Sequence, residues 1–166
     1  MRRVVGATLL FFALVAGPAE AHRDRILPVK ADGSIPDIPA EFGQVRLTLE
    51  GLGSTNPLIQ LRIGTHQTTL PLCVARMIRT RSAAEIQVTG SWYHDEKTSL
   101  PYYLDVQFFD PGYDPKRRYN SGHGFLFNLH NAKLIHATTF EATNAGDGGQ
   151  DMALTLPPGC NLDQDS

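Results

Sequence analysis

Hydrophobic and polar residues alternate along much of the chain, most clearly over residues 85–109. Two segments there, residues 86–93 and 102–107, place apolar side chains at every second position. A period of two indicates strands with one buried face. The polar connector at residues 95–99 is too short for a crossover helix. The sequence therefore predicts an antiparallel pair at the centre of a sheet, with Trp92 in the core.

The spacing of apolar residues in the rest of the chain predicts six further strands and one helix. The strands are expected at residues 45–50, 59–63, 66–70, 125–129, 134–138 and 152–156. Between Leu70 and Arg81 the apolar spacing becomes helical, which predicts one short amphipathic helix capped by Thr69. About eight short strands, one short helix and no alternation of strands with helices predict a mainly β fold. We expect an antiparallel β-sandwich or a partly open barrel.

The register of the hairpin at residues 125–138 depends on the length of its loop. An even loop would place His136 among the phenylalanines. An odd loop keeps the polar groups together, and we expect it for that reason. In the odd register one face carries Phe125, Phe127, Leu129, Ile135 and Ala137.

The first residues have the composition of a secretory signal peptide, predicted to span residues 1–21. Arg2 and Arg3 precede an apolar run over residues 4–15, and Ala19-Glu20-Ala21 has the small-x-small form that a signal peptidase cleaves. The apolar run is short compared with the ~20 residues needed to span a bilayer. We therefore expect an exported protein, periplasmic or secreted, with no membrane span after cleavage and with His22 at its mature N-terminus.

Prolines dominate the segment that follows the predicted cleavage site. Residues 22–44 contain Pro28, Pro36 and Pro39 and show no periodicity. Because proline removes a hydrogen-bond donor and fixes φ, we expect an extended arm that lies on the domain rather than an element within it. Residues 45–166 are predicted to form a single β domain. The apolar residues expected to hold the arm in place are Ile26, Leu27, Ile35, Ile38 and Phe42.

Charge and cysteine content narrow the classes of partner and compartment. Without Arg2, Arg3 and Glu20, the 15 basic and 17 acidic residues become 13 and 16, a formal net charge of −3. Nucleic acid and anionic membrane surfaces are therefore not expected as partners. Cys73 and Cys160 are the two cysteines of the chain, and an isolated pair in an oxidising compartment is expected to form a disulfide.

A long connection at residues 110–124 contains prolines, glycines and basic residues but no periodicity. Connections of this length tend to be functional or disordered. One interpretation is a binding surface for an anionic or sugar ligand; the other is a solvated loop whose tyrosines pack on the sheet edge. The candidate binding residues are Tyr113, Lys116, Arg117, Arg118 and Tyr119.

The common local signatures of catalysis are missing from the sequence. We therefore favour an exported, non-catalytic binding or interaction domain, an envelope component or an inhibitor-like module, with a protein or glycan partner and no cofactor. A secreted hydrolase assembled from distant residues is a further alternative. The sequence allows His94 and Asp95, at the end of one strand, to share a rim of the sheet with His123, at the start of another, as a metal or acid/base pair; the other interpretation is surface residues in polar turns. The available serines for such a site are Ser91 and Ser121.

Copper binding is the main alternative, because cleavage after Ala21 would free the α-amine of His22. Amine and imidazole nitrogens together suit copper(II) in a tetragonal plane. This single feature resembles the histidine brace of the lytic polysaccharide monooxygenases and of some periplasmic copper carriers. The resemblance implies a further histidine ligand, and the candidates are His94, His123, His130 and His136.

Overall fold

The computed structural model describes residues 23–92, 102–114, 116, 120–142 and 149–162, and within them the strands form two antiparallel sheets. The strands are β1 (Arg23–Leu27), β2 (Val45–Glu50), β3 (Leu58–Ile63), β4 (His66–Thr69), β5 (Ile86–Trp92), β6 (Tyr103–Phe109), β7 (Gly122–Asn128), β8 (Leu134–Ala142) and β9 (Gly149–Ala153). The large sheet has the order β1-β5-β6-β7-β8-β9, and the small sheet has the order β2-β3-β4. One α-helix, α1 (Leu72–Ala75), and two 3₁₀ helices (Ala40–Phe42 and Ala83–Glu85) complete the regular elements.

The predicted fold class is confirmed, since the chain is mainly β and its two antiparallel sheets have the arrangement of a β-sandwich. Each sheet buries one face: Leu47 and Leu61 of the small sheet and Val106 and Phe125 of the large sheet are all nearly inaccessible to solvent. The alternation of apolar residues places these side chains in one shared core. The described strands form no closed barrel. No described helix has the length and apolarity needed to cross a bilayer.

The antiparallel pair predicted at residues 85–109 is confirmed as β5 and β6. Val88 pairs with Val106, and Gly90 pairs with Leu104. All four are buried, as the alternation predicts. The pair lies inside the large sheet, between β1 and β7. The connector and the side chain of Trp92, which was expected in the core, lie outside the described residues.

The strands of the small sheet also match the predicted segments. β2, β3 and β4 pair in sequence order, and a two-residue turn joins Ile63 to His66. Gly64 begins this turn with φ 56, a conformation that residues with a side chain rarely adopt. The hydroxyl of Thr68 on β4 donates to the backbone oxygen of Ala132, 2.6 Å away, which joins the small sheet to the turn between β7 and β8.

The hairpin of β7 and β8 has the expected register along most of its length, with one difference. Phe125 pairs with Ala137, and His136 stays outside the core. Nearer the turn the register shifts by one residue, because Phe127 pairs with Leu134. Ile135 is therefore the extra residue of a β-bulge and is 47% exposed. The prediction that Ile135 shares the buried face is wrong for this reason.

The start of the predicted arm is a strand, so the expectation that the arm contains no element of the domain is wrong there. β1 forms an edge of the large sheet and pairs with β5 from Arg23 opposite Trp92 to Leu27 opposite Val88. These residues precede Pro28, so each of them can donate to the ladder. Leu27 is buried, whereas Ile26 is 65% exposed and does not anchor the segment.

The predicted helix is shorter than residues 70–81. α1 has four residues, and Pro71 rather than Thr69 precedes it, with no side-chain cap. After Ala75 the chain leaves the helix, and the hydroxyl of buried Thr80 donates to the backbone oxygen of Phe109. Two turn hydrogen bonds, from Met77 N–H to the Val74 oxygen and from Ile78 N–H to the Ala75 oxygen, follow the helix, so tertiary packing overrides the local helical spacing. The expected burial of the apolar residues is confirmed for Leu70, Val74 and Ile78.

The last strand is displaced towards the N-terminus relative to the predicted residues 152–156. β9 ends at Ala153, and Leu154 donates one further hydrogen bond to the backbone oxygen of Ala137. The chain then leaves the sheet, because Cys160 must reach Cys73 beside β3. The predicted disulfide between these cysteines is confirmed, with a Cα–Cα distance of 5.9 Å and 87 residues of sequence separation.

Reduction of this disulfide should lower the free energy of unfolding by about 4 kcal/mol, because the bond closes a long loop in the unfolded chain. The measurement is urea unfolding of the native protein with and without a reductant. A variant carrying Cys73→Ala and Cys160→Ala is the control, since the reductant should leave its unfolding curve unchanged. Equal stability of the oxidised and reduced native protein would contradict the expected contribution.

Candidate functional site

A polar pocket of about 580 Å³ lies at the end of the large sheet where β6 ends and β7 begins. Residues from four parts of the chain form it: the segment after α1, the end of β6, the start of β7 and the middle of β8. The lining residues are Arg76, Met77, Arg79, Asp110, Ser121, Gly122, His123, Thr139, Phe140 and Glu141. The pocket therefore combines groups of both charges around one histidine.

His123 lies two residues before the inward-facing Phe125 on β7, so both side chains face the core side of the sheet, and His123 is half-buried at its end. Its Nδ1 lies 3.2 Å from the hydroxyl oxygen of Thr139 on β8. Burial lowers the pKa of His123 below its usual value. The Asp110 carboxylate and a hydrogen bond to the Met77 backbone oppose that shift, and Arg79 adds to it. The imidazole is therefore neutral at pH 7 and is held between β8 and the segment after α1.

Two arginines in the pocket come from the segment that the sequence predicted as a helix C-terminus. Arg76 donates from Nε to the backbone oxygen of Thr55 at 2.7 Å and from Nη2 to the side-chain oxygen of Asn56 at 3.1 Å. Arg79 is exposed. The predicted helix between Leu70 and Arg81 contains both residues, and its apolar spacing did not indicate their place in the pocket. Their spacing of three residues gave no indication of which strands they would meet.

The long loop begins and ends at this pocket. The backbone N–H of Asp110 donates to the oxygen of Ser121 at 2.8 Å and closes the base of the loop. Asp114 and Asn120 exchange two hydrogen bonds, from the Asp114 N–H to the Asn120 side chain and from the Asn120 amide to the Asp114 oxygen. The base is thus fixed on the sheet, and the loop ends before Gly122, which already belongs to β7; the structure describes its residues 110–114, 116, 120 and 121.

An aromatic stack attaches the loop to the large sheet. The ring of Tyr113 lies parallel to that of Phe109, with centroids 4.2 Å apart, and Phe140 meets Phe109 edge-on at 5.5 Å. Gly122 allows this packing, because a Cβ there would lie 2.9 Å from the Phe140 ring and 2.2 Å from the backbone oxygen of Phe108. Tyr113 therefore packs on the sheet, as the solvated-loop interpretation expects for the tyrosines.

Of the four remaining candidate binding residues, the structure describes Lys116. Lys116 is exposed, and its backbone N–H donates to the Asp114 carboxylate at 2.9 Å. Arg117, Arg118 and Tyr119 lie outside the described residues. The structure thus brings the pocket arginines to the base of the loop that carries the predicted basic residues.

The expected rim of His94, Asp95 and His123 involves two residues outside the described part of the chain, so the structure locates His123 only relative to Trp92, the last described residue before His94. β5 ends at Trp92, and β6 then runs back across the sheet before β7 begins with Gly122 paired to Phe109. Because the antiparallel chain reverses direction, His123 lies at the end of the sheet opposite to Trp92. His94 and Asp95 themselves lie outside the described residues.

Two other metal candidates occupy separate places. His130 lies in the turn between β7 and β8, where its ring packs against Phe42 at 5.0 Å and Tyr102 at 5.8 Å. His136 is exposed on β8. In the part of the chain that the structure describes, no group of three or more histidine, cysteine or acidic residues could hold a metal ion. His22 lies outside that part, one residue before β1.

A serine hydrolase built on this pocket lacks the geometry that orients the base. In such a triad a carboxylate accepts the Nδ1–H of the histidine. In this pocket the neighbour of His123 Nδ1 is the hydroxyl of Thr139. Asp110 acts on His123 through its charge. Ser91 lies towards the opposite end of β5.

Comparisons with known proteins give no family for this chain. No family model matches it, no curated protein matches it, and no solved structure matches it.

The stability of the protein should fall as the pH falls below about 6.5, in part because of His123. Its folded pKa is depressed, so the unfolded chain binds a proton at a higher pH than the folded protein does. The contribution is fully present above pH about 6.5 and is lost as the pH falls through the folded pKa. His123→Gln should therefore reduce the difference in the free energy of unfolding between about pH 7.5 and about pH 5.5.

The measurement is urea unfolding of the native protein and the variant at both pH values. His136→Gln is the matched control, because His136 is exposed on the neighbouring strand. An identical pH dependence in the native protein and His123→Gln would show that burial of this imidazole does not influence stability.

Proposed function

We propose that the protein is an exported, non-catalytic binding domain, an envelope component or inhibitor-like module, that recognises an acidic glycan. Its binding surface is the basic loop surface, defined as residues 110–121 together with Arg76 and Arg79. One observation carries the proposal: the two ends of the loop, Asp110 and Ser121, line the same pocket as both arginines. The loop that carries the predicted basic residues thus begins and ends at the pocket that contains both arginines.

The chemistry of this surface favours an anionic ligand rich in hydroxyl groups. Guanidinium groups bind carboxylate and sulfate through paired hydrogen bonds. The hydrogen bonds of Arg76 go to uncharged oxygens of Thr55 and Asn56, which orient the side chain without neutralising it. Asp110 and Glu141 on the opposite wall can accept hydrogen bonds from sugar hydroxyls.

Two features of the pocket favour binding over turnover. The contact of His123 with Thr139 holds the imidazole without the carboxylate partner that a general base of the triad type uses. The fixed loop base also supplies a preformed surface, which reduces the entropy lost on binding.

The location is part of the same proposal. The disulfide between Cys73 and Cys160 is compatible with an oxidising compartment. The signal peptide predicted at residues 1–21 supplies the route to that compartment, and the mature protein is periplasmic or secreted.

A variant carrying Lys116→Ala, Arg117→Ala and Arg118→Ala should bind an acidic polysaccharide about threefold or more weakly, since an exposed ion pair contributes up to about 1 kcal/mol. The measurement is affinity electrophoresis in gels that contain dextran sulfate, with neutral dextran as the uncharged comparison. Arg79→Ala should weaken the same binding, because Arg79 lines the pocket. Thermal stability should change little, since Lys116 and Arg79 are exposed.

The matched control removes two exposed lysines outside the basic loop surface, Lys30→Ala with Lys133→Ala. This control should retain the native retardation in dextran sulfate. Equal retardation of the native protein, the loop variant and the control would refute the proposal. Tight binding to polyglutamate with no binding to dextran sulfate would replace the glycan by an acidic protein partner.

We propose copper binding at the mature N-terminus as the second candidate function, because of one pairing in the large sheet. Arg23 at the start of β1 lies opposite Trp92 at the end of β5. The described residues nearest to His22 and His94 in the chain are thus neighbours in the sheet. This favours His94 as the further ligand over His123, which lies at the opposite end of the sheet, and over His136, which is four strands from β1.

Mature protein that begins at His22 should bind copper(II) with a nitrogen-rich signal in electron paramagnetic resonance. A version with one extra residue before His22 should lose that signal, because the free α-amine then belongs to the added residue and the imidazole to His22. His94→Gln should alter the signal, and His136→Gln is the control that should leave it unchanged. Equal binding in the native and extended forms would eliminate this candidate.

A further inference from the structure

A second cleft, of about 770 Å³, lies on the small sheet where residues 32–44 pass beside the start of β2. One wall is apolar and contains Ile35, Pro36 and Ile38. The other is polar and contains Asp32, Ser34, Arg46 and Arg62. Clefts of this size accommodate small organic ligands.

The polar wall contains two arginines that face each other across neighbouring strands. Arg46 on β2 is directly opposite Arg62 on β3, and both are exposed on the outer face of the small sheet. Like charges at directly opposed positions destabilise a sheet. A negative charge between or beside them relieves this repulsion.

Asp32 supplies that charge for one of the two arginines. Its carboxylate accepts hydrogen bonds from the Ser34 N–H at 3.0 Å and the Ser34 hydroxyl at 2.7 Å. These bonds lower the pKa of Asp32, and the charge of Arg46 lowers it further. Arg46 Nη2 lies 3.6 Å from the carboxylate, and Arg46 Nε donates to the Asp32 backbone oxygen at 3.0 Å. Arg46 is thus held by Asp32.

Arg62 has no such counter-charge. Among the described residues, the ion pairs join Arg25 to Asp37 and Arg46 to Asp32, and none includes Arg62. Its Nε donates to the backbone oxygen of Gly64 at 3.2 Å. This bond orients the guanidinium and leaves its two terminal nitrogens for a bidentate contact with a carboxylate.

The floor and apolar wall of the cleft are rigid backbone. Gly43 and Gly64 approach so closely that a Cβ on Gly43 would lie 3.1 Å from the Gly64 Cα. Ile35 is buried, and its N–H donates to the Val45 oxygen at 3.0 Å, which fixes the wall to β2. An apolar surface thus lies across the cleft from a cation that has no described counter-ion.

We propose that this cleft binds an organic carboxylate, with the carboxylate group on Arg62 and an aliphatic body against Pro36 and Ile38, which lie beside the buried Ile35. The site is distinct from the basic loop surface and does not depend on its function. Asp32 competes with the ligand for the pair of arginines, so its charge limits the affinity.

The test is a titration of the purified protein with hexanoate, followed by nuclear magnetic resonance. The methyl signals of Ile35 and Ile38 should shift in a saturable way. Arg62→Gln should weaken hexanoate binding about fivefold or more, because a charge-assisted hydrogen bond is lost. Asp32→Asn should strengthen it, since Asn keeps an acceptor for Ser34 but removes the competing charge.

Arg25→Gln is the matched control, because Arg25 is an exposed arginine outside the cleft and is paired with Asp37 at 3.2 Å. It should bind hexanoate as the native protein does. The thermal transitions of both arginine variants establish that they remain folded. Equal binding by Arg62→Gln and Arg25→Gln would overturn the proposal. Hexanol binding as tightly as hexanoate, or sulfate binding as tightly as hexanoate, would also overturn it.

Discussion

The packing of β6 and β7 against the small sheet is the interaction on which the rest of the molecule depends. Leu104, Val106, Phe108 and Phe125 are almost fully buried, and the rings of Phe108 and Phe125 meet edge-on with centroids 5.8 Å apart. Because successive residues of a strand face opposite sides, this burial also determines what faces outwards. Phe109 is the next residue after Phe108 and therefore carries the Tyr113 stack that holds the long loop.

Because neighbouring strands are antiparallel, the residues proposed for the two candidate functions belong to opposite ends of the large sheet. β7 starts where β6 ends, which gives the pocket its place beside the loop. β1 starts where β5 ends, which places the N-terminal chain at the other end. A single reversal between neighbouring strands thus places His123 at the end of the large sheet opposite the start of β1. To predict this arrangement one must know which strands are neighbours in the sheet, and the alternation of apolar and polar residues does not give that information.

Most strands could be predicted from the sequence. Each strand buries one face, and its apolar residues therefore alternate with polar ones. The places where prediction failed are those where distant contacts override local pattern. Ile135 alternates correctly but is displaced by a bulge, and the helical spacing after Ala75 yields to the bond between Thr80 and Phe109. The candidate loop was identifiable from its length and charge. Arg76 and Arg79 were not, because only the folded chain brings them to Asp110.

The disulfide holds the chain segment that lines one side of the pocket, and it is compatible with the exported location that we propose. Cys73 lies in α1, and the residues that follow contribute Met77 and Thr80, which bond to His123 and to the backbone of Phe109. Cys160 fixes this segment to the C-terminal chain. The segment has one helical turn of its own, too short to be stable in isolation. Its position at the pocket therefore depends on tertiary contacts, among them the hydrogen bond of Thr80 to Phe109 and the disulfide that joins Cys73 to the C-terminal chain.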